Sequence, residues 1–108
     1  MMVMMMAQAA SSRFTSMARV ATSSPSRYLG QLCKHFAHKV PVSHDTETGR
    51  IEFPFGLCEL AAGKDMLALC VSAVDAEALS RMEDVIASHL TRFAFREPLE
   101  VVWSRNAE

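Results

Sequence analysis

Ser24-Pro25-Ser26-Arg27-Tyr28-Leu29-Gly30-Gln31-Leu32-Cys33-Lys34-His35-Phe36-Ala37-His38-Lys39 reads as one amphipathic helix, and the architecture follows from it. Ser24 suits an N-cap and Pro25 the first helical position, where a missing N–H costs nothing. Leu29, Leu32, Cys33, Phe36 and then Val40 recur at helical spacing and predict a buried face. Pro41 ends the run, because the residue before a proline avoids helical geometry. The opposite side lines up Arg27, Gln31, Lys34 and His38, with His35 at its margin.

Upstream of the helix, Met17 to Thr22 alternates and predicts a short strand. Downstream, Val42 to Asp45 and Arg50 to Phe55 flank Thr46-Glu47-Thr48-Gly49 as a hairpin. Ile51, Phe53 and Phe55 form its inward face, and Pro54 marks a strand end. Leu57 to Ala61 and Met66 to Val74 are two further strands, the second apolar on both faces and therefore central. Asp75 caps a second helix from Ala76 to about Arg92, with Leu79, Met82, Ile86, Leu90 and Phe93 on its buried stripe. Leu99 to Ser104 alternates as a last strand. The order β-α-β-β-β-β-α-β predicts an α+β fold with two helices on one face of a mainly antiparallel sheet.

A chain of 108 residues holds one core, so residues 17–108 are expected to form a single domain. Residues 1–16, MMVMMMAQAASSRFTS, lack a sustained pattern, and are expected to be a disordered tail or to precede the true start at Met17. The apolar run before Ala7-Gln8-Ala9 is too short for an export signal. Three cysteines, an odd number in a chain able to build its own core, point to a reducing cytoplasm rather than a disulfide scaffold. No apolar run suffices to span a bilayer.

Charge is uneven along the chain. Met1 to His44 carries five basic residues and no acid, whereas Asp45 onward carries twelve acids and six bases. Arg27, Gln31, Lys34, His35 and His38 are thus candidates for binding an anion or a partner's acidic patch through charge-assisted hydrogen bonds. An ordinary solvated helix face fits the same residues. Without interleaved exposed aromatics, nucleic acid is not the expected partner.

Thiol and imidazole groups raise metal or enzyme chemistry as the alternative. Cys33 and His38 diverge by about 140° around the helix and cannot easily share an ion. His35 and His38, three apart, would need His44, Asp45 or another chain to complete a tetrahedral site, so no metal is assigned. His89 lies at the edge of the second helix's apolar stripe and reads as a satisfied core-margin histidine. Cys58, following the Gly56 bend, is expected to be the most accessible thiol, though no neighbour activates it. A small enzyme or metal-binding protein using His35, His38 and Cys58 is the alternative to a binding module, and the residues themselves specify no cofactor.

Several strings resemble a known family when taken together. They are Ser26-Arg27-Tyr28-Leu29, Gln31 to Phe36, His38-Lys39, Gly49-Arg50-Ile51, Phe53 to Cys58, Glu83-Asp84-Val85, His89-Leu90, and Arg92 to Glu97. From Met17 to Ser104 the chain resembles the bacterial domain-of-unknown-function family 2218. That resemblance implies a bacterial cytoplasmic protein of unassigned activity. Related domains are joined to siderophore-interacting flavoprotein reductases, which implies a docking role in siderophore-iron handling with a flavin-dependent ferric-siderophore reductase as partner. Some relatives carry an aldolase name, but the sequence offers no lysine in a buried strand context and no metal triad for aldol chemistry.

Overall fold

Pro25 opens helix α1, which runs Pro25–Phe36 in a computed structural model that describes residues 14–106. Leu29, Leu32 and Cys33 are fully enclosed, and Tyr28 and Phe36 nearly so, as the apolar spacing requires. The helix stops short of Lys39: Ala37 N–H donates to Cys33 O, and Lys39 and Val40 N–H both donate to Phe36 O, forming a tight exit turn. Ser24 occupies the N-cap position but makes no side-chain cap. Thr22 takes part of that work, its Oγ1 accepting from Ser24 N–H at 3.0 Å.

Strands β1 (Phe14–Ala21), β2 (Val42–His44), β3 (Thr48–Phe53), β4 (Gly56–Gly63), β5 (Met66–Ala73) and β6 (Ser104–Arg105) form one antiparallel sheet in the order β2-β3-β4-β5-β1-β6. Helix α2 (Ala76–Phe93) starts where Asp75 Oδ1 accepts from Ala78 N–H at 2.7 Å. With two helices against one face of an open sheet, the fold is α+β in the expected element order.

Burial alternates along the strands. Ser16, Ala18 and Val20 of β1, Cys58 and Leu60 of β4, and Leu67, Leu69, Val71 and Ala73 of β5 point under the helices. From α2, Leu79, Met82, Ile86 and Leu90 close the core. β5 is thus enclosed on one face only: Met66, Ala68, Cys70 and Ser72 lie on the side the helices leave uncovered.

Several boundaries differ from the expected ones. β1 begins at Phe14, three residues before Met17, because it pairs with β5 from Phe14↔Ala73 through to Ala21↔Met66 and buries Ser16. The rest of the expected tail, residues 1–13, lies outside the described residues. β3 starts at Thr48 because Asp45 Oδ1 accepts from both Glu47 and Thr48 N–H and shortens the loop. Leu99 to Trp103 is not a strand; Leu99, Val101 and Trp103 pack half-buried against the core, and only Ser104 and Arg105 pair, with Met17 and Ser16. Arg105 anchors this short β6 by reaching Glu83 at 2.8 and 3.0 Å and Ser80 Oγ at 2.8 Å on α2.

Candidate functional site

The turn after α2 is tied to the start of α1 by one carboxylate. Glu97 accepts from Thr22 Oγ1 at 3.0 Å, Ser23 N–H at 3.1 Å and Tyr28 OH at 3.2 Å. These bonds, the one from Ser23 N–H first, hold the Glu97 carboxyl below its usual range. Burial and then the adjoining carboxylate raise the Tyr28 phenol. The clasp sets the first turn of α1 beside the last turn of α2 and its exit.

Along the resulting seam, cations from both helices converge. Arg27, Lys34 and His35 are exposed on α1, and His38 and Lys39 follow, also exposed, in its exit turn. Gln31 differs from the others: it is half-buried, and its Oε1 is enclosed without a hydrogen-bond partner among the described residues. Arg92 of α2 and Arg96 of the exit turn are also exposed. No acidic residue occurs in α1. Among the described residues the ion pairs are Arg50 with Glu52 and Glu59, and Arg105 with Glu83, and none draws on a cation of the seam.

Midway along, His35 meets His89 with ring centroids 4.8 Å apart, and Phe36 and Phe93 stand edge-on to His35 at 4.9 and 5.7 Å. His89 Nδ1 donates to Val85 O at 2.7 Å, which leaves Nε2 as the acceptor of the neutral ring. Desolvation, then His89, Lys39, His38 and Arg92, lower the pKa of His35. A histidine whose pKa is lowered on folding leaves the native state with fewer bound protons than the unfolded chain, so its stability is complete above the unfolded value near 6.5 and declines as pH falls below it. Thermal unfolding at pH 7.5 and 5.5 should show a drop in midpoint that is smaller in His35→Gln. The depressed carboxylates, Asp45, Glu83 and Glu97, lose stability in the same direction as pH falls, but mainly below about pH 5. An equal drop in both proteins would contradict this account of His35.

At the Glu97 end, the seam widens into a cleft of about 360 Å³ lined by Arg27, Tyr28, Phe93, Phe95 and Arg96. Phe95 is 78 % exposed, with the Arg96 guanidinium 5.5 Å from its ring centroid. Sequence reading singled out Arg27 but not Arg96, His89 or Phe95 as partners in one site. The available signal was Phe93-Ala94-Phe95-Arg96, aromatic and basic residues together just past a helix end.

Cys58 is not the accessible thiol. It is fully buried on β4 beneath the helices, and desolvation raises its pKa far above the ordinary thiol value. Register explains this, since Cys58 pairs with Ile51 and Val71, which both point into the core. Cys33 is also buried, its thiol pushed up to about 11, whereas Cys70 lies half-buried on the uncovered sheet face. A thiol reagent at pH 8 is therefore expected to modify Cys70 alone in the native protein and all three cysteines after denaturation, as read by intact mass. Native labelling at Cys58 would place that strand in the wrong register. Among the described residues, no group of three or more His, Cys, Asp or Glu side chains is placed to hold a metal ion. No helix there is long and apolar enough to cross a membrane.

Residues 17–104 match the model of a family described as an uncharacterized protein conserved in bacteria, DUF2218. The chain belongs to this family. The DUF2218 domain is also similar to a solved structure, the NMR structure of PA4090 from Pseudomonas aeruginosa. The identity is 40 %, covering 84 % of this chain and 95 % of that one, with a TM-score of 0.72. No curated protein matches.

Proposed function

We propose that this DUF2218 domain is a binding module that takes an anionic ligand or partner on the basic seam between α1 and α2, through Arg27, Gln31, Lys34, His35 and His38 together with Arg92 and Arg96. The observation that carries this reading is the convergence of cations from two elements with no ion-pairing partner among the described residues. Glu97, which follows Arg96 in sequence, spends its oxygens on Thr22, Ser23 and Tyr28. Like charges held together weaken the folded state, and an incoming anion relieves that repulsion.

The finer reading makes the domain a cytoplasmic accessory to siderophore-iron handling that docks a flavin-dependent ferric-siderophore reductase. Its support is the family resemblance, together with a surface whose sign suits an acidic protein patch or an anionic ferric catecholate. The alternative, an enzyme or metal-binding protein built on His35, His38 and Cys58, is disfavoured because the Cys58 thiol is enclosed and held protonated.

The test is thermal shift with a ferric catecholate siderophore and with flavin mononucleotide, alongside calorimetric titration of a siderophore-interacting reductase. A ligand at 100 times its Kd stabilises the native state by about 2.7 kcal/mol, an easily read rise in midpoint. At least one of the three is expected to bind at low salt and to lose binding in the charge-reversed variant Lys34→Glu/Arg92→Glu/Arg96→Glu. Failure of all three to bind, or binding untouched by the reversal, would reject the proposal.

A further inference from the structure

We infer that the cleft at the Glu97 end of the seam is a site for a small aromatic oxyanion, a planar ring bearing a carboxylate or a phosphate. This inference rests on the seam being a binding surface and names the chemical class it takes. The cleft volume of about 360 Å³ lies near the lower bound of small-molecule sites, roughly 300–1,000 Å³, and so suits a ligand of one or two rings.

Two lining residues supply guanidinium groups from separate elements, Arg27 from the first turn of α1 and Arg96 from the exit turn of α2. Each offers a planar fork of N–H donors that matches the two oxygens of a carboxylate or phosphate edge. Neither is ion-paired among the described residues. Two arginines would repel a metal cation, which sets the sign of the ligand.

Rings define the other part of the ligand. Phe93 and Phe95 line the same cleft as the arginines, and Phe95 is among the most exposed large apolar side chains described. A bare oxyanion would leave the Phe95 ring in water. An aromatic anion would cover it by stacking while its charged end reaches the guanidinium groups. The walls are already fixed: Glu97 N–H donates to Ala94 O at 3.0 Å, Ala94 N–H to Leu90 O at 3.1 Å, and the Glu97 side chain clasps the start of α1. Little ordering remains to be done on binding.

NMR titration with five probes tests the inference. Benzoate and phenyl phosphate carry ring and charge, acetate and inorganic phosphate carry charge alone, and benzyl alcohol carries the ring alone. Each aromatic anion is expected to bind at least tenfold more tightly than its ringless counterpart and than benzyl alcohol, moving the signals of Arg27, Phe93, Phe95 and Arg96. The tighter of benzoate and phenyl phosphate identifies the oxyanion. Arg27→Gln and Arg96→Gln, both at exposed positions, should each weaken that binding at least tenfold, and Phe95→Leu should abolish the preference for the ring. Aromatic anions that bind no better than acetate and phosphate, or that ignore both arginine substitutions, would overturn the inference. Lys34→Glu and His38→Glu, outside the cleft, separate the two proposals. Partner binding that depends on those two residues while aromatic anions ignore the cleft leaves the module standing and removes this site.

Discussion

Gly56→Ala is expected to cost about 3 kcal/mol of stability, the upper end of ordinary overpacking penalties. A Cβ at position 56 would sit 2.5 Å from the carbonyl oxygen of Ser72 and 2.8 and 2.9 Å from Cγ and Sδ of Met82. Met82 can swing aside at modest cost, but Ser72 O belongs to the backbone of β5 and moves only with the strand. Gly56 opens β4 directly after the Pro54-Phe55 turn, so that shift would disturb the β3–β4 hairpin and the β4–β5 pairing together. Urea denaturation measures the loss, and a change below about 0.5 kcal/mol, the scale of neutral surface substitutions, would contradict the close approach.

Leu32→Ala should cost a similar amount, about 3 kcal/mol, for removing a fully buried leucine and leaving a cavity the core cannot fully close. Lys34→Ala, two residues on and exposed, is expected to fall within about 0.5 kcal/mol of the parent. The contrast is a direct reading of which side of α1 faces inward. Comparable losses at both positions would mean that the helix is rotated from the orientation described, and the basic seam would no longer be a surface.

The fold was legible wherever spacing and local chemistry agreed. Leu29, Leu32, Cys33 and Phe36 marked the buried side of α1, and Asp75 caps α2 as its position implied. Boundaries failed where distant partners decide them. Phe14 to Ser16 join β1 because β5 extends to Ala73 beside them, which no local pattern in a Met- and Ser-rich stretch reveals. Leu99 to Trp103 alternates like a strand but lacks a neighbour to pair with, since β1 takes only Ser104 and Arg105.

The candidate site was half legible. Arg27, Lys34 and His35 share one helix and His38 lies in its exit turn, and their spacing placed them at the surface correctly. Arg96, Phe95 and His89 lie more than fifty residues away in sequence and reach the same seam through tertiary packing alone. Cys58 misled for a related reason: the bend at Gly56 suggested exposure, but strand register turned its side chain into the core.

Backbone-amide shift mapping during titration with phenyl phosphate tests the central claim, that the α1–α2 seam is the ligand surface. The largest perturbations are expected at residues 23–38 and 88–97. The uncovered sheet face offers the contrasting location, with Met17, Ala61, Ala68 and Cys70 lining a shallow apolar depression there. Perturbations centred on those strands, with residues 23–38 and 88–97 unmoved, would contradict the account.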